Sequence, residues 1–170
     1  PPNRATKGNI KHISLLGNHE NRLDRMVNAH PELNGMLSNK DFGFESYGWE
    51  VVPFLDIKVI DGVHYSHYFT SGNSGSPISG AYPAANLLRQ NLVSSTVGHN
   101  HLLDISQRTT AAGNKIIGLS VGCFFEHNES YASPRNNAMW WRGVVICHDV
   151  HNGQYDAEFV SMKRLKKTYG

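Results

Sequence analysis

Short apolar runs, each stopped by a glycine and a group of polar residues, recur along this chain of 170 residues. Ile10 to Leu16 and Ser94 to Val97 are two of them, and runs of this length are typical of buried β-strands. Side chains spaced three and four residues apart predict a helix over Leu23 to His30, and Pro83 to Asn91 predicts a second helix. Strands that alternate with helices predict a mixed α/β fold built in layers.

Three glycine-containing turns predict β-hairpins elsewhere in the chain. Asp61-Gly62, Ala112-Gly113-Asn114 and Asn152-Gly153 each stand between two strand-like segments, and these residue pairs are strong hairpin formers. Two other stretches, Leu37 to Tyr47 and Ser71 to Gly80, are rich in glycine and polar residues and are predicted to be loops. No repeat or linker interrupts the pattern, so residues 1–170 are predicted to form a single domain.

The bulk composition limits the classes of protein that fit. With 39% hydrophobic and 18% charged residues the chain is typical of a globular protein, and without a run of ~18 apolar residues no membrane partner is expected. The formal charge of +2 does not by itself indicate nucleic acid. The basic segment 163–167 is predicted to be a solvated end, with a functional basic arm as the alternative. Cys123 and Cys147 lie in apolar runs and are predicted to be free, buried thiols of a reducing, cytoplasmic compartment.

Ten histidines favour metal or acid–base chemistry. The first histidine group, Gly17-Asn18-His19-Glu20, lies directly between a predicted strand and a predicted helix. The side-chain oxygen of Asn18 suits a divalent ion, and His19 would point into the crevice at the carboxyl end of the strand, where α/β sheets bind ligands. The alternative is a helix N-cap by Asn18 beside a surface histidine.

Two further histidine groups follow the predicted strands. In the Gly-His-Asn-His segment, an extended chain would put His99 and His101 on the same face, so both could reach one site or two neighbouring ions. A polar turn with two solvated histidines is the alternative. His64 and His67 lie on opposite faces of the predicted return strand Val63 to Phe69, and His67 is preferred as a ligand because it is nearer the end of the strand.

The series Gly-Asn-His-Glu, then a strand histidine, then Gly-His-x-His resembles the calcineurin-like metallophosphoesterases over Ile10 to Val121. The resemblance implies a layered α/β/β/α sandwich with two divalent metal ions, usually Mn, Fe, Zn or Ni. It implies a metal-dependent phosphoesterase (a phosphatase, phosphodiesterase or nuclease) that hydrolyses phosphate mono- or diesters by a metal-activated hydroxide. The phosphate ester substrate could be a nucleotide or a nucleic acid, and the sequence does not choose between them.

The resemblance also assigns roles to the residues of the motifs. The metal ligands would be Asn18, His67 and His99 for one ion and His101 for the other. His19 would contact the scissile phosphate or protonate the leaving oxygen.

The substrate-binding residues follow from the same resemblance and from composition. Arg22, one turn into the predicted helix, would bind a substrate phosphate, with an exposed helix arginine as the alternative. The aromatic stretch from Phe124 to Trp141 could shape a substrate pocket, in which Trp140 and Trp141 would stack a base or pack in the core.

The chain departs from the family pattern at its start. The family begins with Asp-x-His and Gly-Asp-x-x-Asp, which supply ligands and a bridging carboxylate, and no aspartate precedes Gly17 here. We therefore expect a fragment that lacks its N-terminal strands, holds one metal ion or none alone, and self-associates through an exposed sheet edge. Asp149-Val150-His151 has the Asp-x-His spacing that a circularly permuted domain would use, but the Asn152-Gly153 that follows favours a plain hairpin.

The missing aspartates also favour an alternative function, a catalytically impaired or inactive domain of the same fold that serves binding or assembly. A structural zinc site made of His67, His99 and His101 is a third interpretation, which the lack of Cys ligands disfavours. The letters His-Asn-His do not indicate an HNH nuclease, because the residues that define that class are scattered over a ββα unit.

Overall fold

The structure is a computed structural model that describes residues 10–170. Over that range it is a mixed α/β chain with four α-helices and eleven strands in several sheets, which confirms the predicted class. Its contacts form two compact units whose boundary lies between Asp56 and Ile57. Because two such units can belong to one domain, the single-domain organisation stays a prediction.

The first unit is built on a short parallel strand pair. Strand β1 (Ile13–Leu15) runs parallel to β2 (Glu50–Val52), and helix α1 (Asn21–Ala29) follows β1. The first predicted strand and helix are therefore present, with bounds that differ by one to three residues. The side chains of Leu16 and Val52 form the buried part of this pair.

The segment Leu37 to Tyr47 is not the loop that its composition predicts. It contains two 3-10 turns, Asn39–Phe42 and Glu45–Tyr47. The backbone N–H of Ser38 donates to Asp41 Oδ2 at 2.7 Å, which closes a capping box at the start of the first turn. A glycine in the left-handed region ends each turn.

The second unit contains most of the regular structure. Its strands are β3 (Lys58–Ile60), β4 (Val63–Tyr65), β5 (Thr70–Ser71), β6 (Ser76–Pro77), β7 (Ser95–Val97), β8 (Leu103–Thr109), β9 (Lys115–Val121), β10 (Gly143–His151) and β11 (Gln154–Ser161), and its helices are α2 (Pro83–Asn91), α3 (Pro134–Met139) and α4 (Met162–Tyr169). All three predicted hairpins are present, as β3–β4, β8–β9 and β10–β11, and α2 has the predicted bounds.

A five-stranded sheet in the order β3-β4-β7-β9-β8 organises this unit. The three central strands β4, β7 and β9 are parallel, and both edge strands are antiparallel to their neighbours. Helix α2 packs on one face through Leu87, which meets Val97. On the other face Val63 and Leu119 pack against Tyr155 of the β10–β11 hairpin. Burial in this cluster raises the pKa of the Tyr155 phenol.

Strand β4 ends earlier than its apolar pattern predicts. The predicted return strand Val63 to Phe69 stops at Tyr65, because the buried Ser66 turns the chain and its hydroxyl donates to Tyr68 O at 3.0 Å. The expectation that His64 and His67 occupy opposite faces of one strand is therefore wrong, since His67 lies beyond the strand.

The segment Ser71 to Gly80, predicted to be a flexible surface loop, also has regular structure. It carries part of the β5–β6 hairpin. Ile78, which is 2% exposed, anchors it in the core, and the backbone N–H of Ile78 donates to Phe69 O at 2.8 Å. The segment is otherwise mostly exposed, as predicted for a surface loop.

The cysteine prediction is only partly right. Cys123 and Cys147 are both free thiols, but only Cys123 is buried and Cys147 is half-buried. Burial raises the pKa of both thiols.

The four basic side chains of segment 163–167 are exposed, which confirms that the segment is solvated. It lies within helix α4, whose N-cap Ser161 accepts a hydrogen bond from the Arg164 backbone N–H at 3.3 Å. No helix within residues 10–170 has the length and apolar content that crossing a bilayer requires.

Replacing Gly118 with alanine should destabilise the second unit. A Cβ there would overlap the carbonyl oxygen of Ala84 and come within 3.0 Å of Leu88 Cγ, because α2 packs directly on β9 at this residue. We expect a loss of about 1–3 kcal/mol in the free energy of unfolding, measured by urea denaturation. The control is Gly98→Ala, whose Cβ would meet Val121 Cγ2 at an ordinary 3.7 Å. Equal stability of the two variants would contradict the close packing of α2.

Candidate functional site

His67 and His99 lie side by side at the carboxyl ends of two neighbouring parallel strands. Each follows its strand by two residues, His67 after β4 and His99 after β7. The His99 backbone N–H donates to His67 O at 3.3 Å. Their rings meet edge to face, with His99 Nδ1 and His67 Nε2 separated by 3.0 Å. Parallel pairing of the strands therefore brings two of the predicted metal ligands together.

The separation of the two ring nitrogens has two chemical interpretations. Two imidazoles whose nearest nitrogens are 3.0 Å apart can share one proton, with one ring donating and the other accepting. They can instead direct both lone pairs at one cation, because metal–nitrogen bonds of about 2.0–2.1 Å place two ligand nitrogens on one ion about 3 Å apart. The distance between the two nitrogens is therefore also that of two ligands on one divalent ion.

His101 belongs to a different arrangement from the one predicted. The prediction required an extended segment, but the chain turns at His99 and Asn100, and His101 has a φ of +56°. The expectation that His99 and His101 share a strand face is therefore wrong. The ring of His101 packs edge to face against Trp140, with centroids 4.7 Å apart, and against Phe125 at 5.3 Å.

Asn18, His19 and Arg22 belong to the first unit, in the turn after β1 and the first turn of α1. Glu20 holds this turn, since its Oε2 accepts the Gly17 backbone N–H at 2.8 Å. Glu20 is also the N-cap of α1, so the alternative in which Asn18 caps the helix is wrong. His19 and Arg22 are exposed and Asn18 is half-buried.

The centre is defined by histidines without a larger ligand cluster. Within residues 10–170, no three side chains of His, Cys, Asp or Glu gather closely enough to hold one metal ion. The Asp149-Val150-His151 match lies at the β10–β11 turn, where Asp149 and Asn152 have φ of +50° and +48°. The interpretation of this match as a plain hairpin is confirmed.

The loop from Cys123 to Arg142, here called the aromatic loop, joins β9 to β10 beside His101. Its two ends are paired, since Cys123 N–H donates to Trp141 O at 2.9 Å and Gly143 N–H donates to Cys123 O at 3.0 Å. The Trp141 N–H donates to His101 O at 3.0 Å. The loop is thus attached through its backbone to the histidine segment that follows β7.

Two polar side chains order the interior of the aromatic loop, and the sequence did not single them out. Asn137, 6% exposed, accepts from Glu129 N at 2.9 Å and donates through Nδ2 to carbonyl oxygens that include Glu129 O and Ala132 O. Arg142 donates to Asn137 O at 3.2 Å and to His127 O at 3.4 Å. The only sequence signal for this framework is Ser133-Pro134, which is typical of a helix start and precedes α3.

In comparisons with known proteins, no family model, no curated protein and no solved structure matches the chain. The resemblance to the metallophosphoesterases therefore stays a hypothesis that depends on the histidine motifs.

Replacing Asn137 with alanine should loosen the aromatic loop. The change leaves the Glu129 backbone N–H and several carbonyl groups without their partner, at a cost of about 1–3 kcal/mol. Amide hydrogen exchange should accelerate across the loop and stay unchanged in β7 and β9. The control is Asn136→Ala, because Asn136 precedes Asn137 on α3 and its side chain is exposed. Unchanged exchange in the Asn137 variant would contradict the role given to its amide.

The pair formed by His67 and His99 also predicts that this chain binds a divalent metal ion. Mn²⁺ or Zn²⁺ at about 100 times its dissociation constant should raise the free energy of unfolding by about 2.7 kcal/mol. We expect His67→Ala and His99→Ala to abolish this increase. The control is His148→Ala, because that ring is 51% exposed and pairs with Glu158. Stabilisation that survives both variants would exclude the pair as the binding site.

Proposed function

We propose that this chain is a metal-dependent phosphoesterase of the calcineurin-like type, acting on phosphate mono- or diesters. The observation that carries the proposal is the 3.0 Å approach of the His67 and His99 ring nitrogens. Their position supports it, because the carboxyl ends of parallel strands are where open α/β sheets bind ligands. Neutral imidazole is also a common ligand of Mn, Fe, Zn and Ni.

Each residue of the centre has a role in this proposal. Divalent ions bound there would supply positive charge against the phosphate and lower the pKa of water. His67 and His99 would hold one ion, and His101 would serve the second ion. The roles that the resemblance gives to Asn18 and His19 of the first unit, a further metal ligand and a proton donor or phosphate contact, stay predictions.

The role of Arg22 in substrate binding likewise stays a prediction from the resemblance. Its guanidinium is exposed on the first turn of α1, and a guanidinium can bind two phosphate oxygens at once. It would neutralise part of the charge of the substrate before the reaction.

The proposal includes the finer fold, a layered α/β/β/α sandwich. The second unit supports it with an α/β/β order, in which α2 covers one face of the five-stranded sheet and the β10–β11 hairpin covers the other.

A second candidate function is binding or assembly without turnover. The absence of any group of three His, Cys, Asp or Glu side chains within residues 10–170 favours it. Two neutral ligands neutralise none of the charge of a dication, so a centre without a carboxylate would hold metal weakly.

Hydrolysis of bis-p-nitrophenyl phosphate separates the two candidates. With Mn²⁺ present, we expect measurable turnover that falls at least about 100-fold in His67→Ala and His99→Ala, because loss of the metal removes both charge stabilisation and water activation. The control is His148→Ala on the exposed face of β10. Unfolding midpoints would establish that all variants fold.

The outcomes of this assay are distinct. Turnover that depends on His67 and His99 supports the enzyme. No turnover with Mn, Fe, Zn or Ni, or full turnover by the His99 variant, would exclude a phosphoesterase that uses this pair and leave the binding domain.

A further inference from the structure

The aromatic loop surrounds His101 with rings that the proposed hydrolysis does not use. Trp140 and Phe125 pack against the His101 ring, and Phe125 stacks on His127 with centroids 4.7 Å apart and planes 28° apart. Tyr131 extends the group, 6.4 Å from Trp140 and 67% exposed. A ligand bound next to His101 would therefore lie close to the rings of Trp140 and Phe125.

The framework of the loop holds these rings in place without a ligand. Asn137 and Arg142 bond to the backbone on both sides of the loop. Because the backbone is already ordered, a flat ligand that stacks on Tyr131 or Trp140 loses little conformational freedom of the protein on binding.

Helix α4 brings positive charge to the same loop. Lys166 Nζ donates to Glu126, which lies within the loop three residues after Cys123. Lys163 and Lys167 on the same helix are exposed. Exposed cations beside stacking rings are the combination with which proteins bind single-stranded nucleic acid, the rings taking bases and the cations taking phosphates.

We propose that the aromatic loop and α4 bind single-stranded nucleic acid, with a base stacked on Tyr131 and Trp140 and the backbone along Lys163 and Lys167. The inference rests on the proposed function, since it takes the phosphate next to the stacked base to be the one presented to the histidine centre. The surface thus assigns the substrate class to nucleic acid strands rather than small phosphate esters.

The test measures binding without turnover. Anisotropy of a fluorescein-labelled thymidine octamer is recorded in EDTA, together with an abasic strand of the same length and charge. We expect the octamer to bind at least tenfold more tightly than the abasic strand. Tyr131→Leu and Trp140→Leu should each weaken octamer binding by about 5- to 150-fold. Tyr131 is mostly exposed, so its variant tests the surface even if Trp140→Leu fails to fold. Phe124→Leu, which removes a 64% exposed ring from the same loop, should have no effect.

The phosphate contacts have a separate readout in the salt dependence. Removing Lys163 and Lys167 together should reduce the slope of log affinity against log salt by about 1.4, because each contact with a single strand contributes about 0.7. The matched control is Arg108→Ala with Lys115→Ala. It removes the same charge at the β8–β9 turn, which is at the other end of β9 from the aromatic loop. An unchanged slope in the Lys163 and Lys167 variant would overturn the assignment of α4.

The remaining outcomes distinguish this inference from the function on which it rests. Equal binding of the octamer and the abasic strand, or thymidine monophosphate binding as tightly as the octamer, would overturn the inference even if bis-p-nitrophenyl phosphate is hydrolysed. Selective octamer binding by a chain that hydrolyses no ester would support the nucleic-acid surface and exclude the phosphoesterase.

Discussion

The parallel hydrogen bonding of β4 to β7 is the constraint on which the candidate centre depends. It starts where His64 N–H donates to Ser94 O at 2.8 Å and continues past both strands to the 3.3 Å contact between His99 N and His67 O. Two residues that are 32 positions apart in sequence thereby have neighbouring backbones. This pairing is what places the His67 and His99 rings in contact.

The close approach of α2 to β9 fixes the helix on one face of the five-stranded sheet. Gly118 on β9 leaves room for the backbone of the helix at Ala84, whose N–H donates to Asp104 Oδ2 at 2.9 Å. The central strands are therefore covered on one face by a helix and on the other by a hairpin. The segments that follow the strands carry the polar side chains, as is usual for loops positioned by a rigid scaffold.

Residue preferences at the turns predicted the hairpins well, and the failures occur at single residues whose backbone conformation an apolar pattern does not encode. The Asp61-Gly62 and Asn152-Gly153 turns were predicted because their φ preferences are intrinsic to the residues. The early end of β4 depends on the turn at Ser66, and the position of the His101 side chain depends on its left-handed backbone. A pattern of apolar residues predicts neither of them. Helix α4 did have a sequence signal, since Met162, Leu165 and Tyr169 repeat at helical spacing around the four basic residues of 163–167. For the centre, the sequence could supply the histidines but could not pair them.

The internal order of the aromatic loop has an evolutionary consequence. Its shape depends on backbone carbonyls bonded to Asn137 and Arg142, whereas the rings that face outward contribute nothing to those bonds. Outward-facing positions such as Tyr131 can therefore be exchanged among descendants without disturbing the scaffold beneath them. A lineage that keeps the Asn137 amide and Arg142 could therefore diversify the exposed surface of this loop while its backbone stays the same.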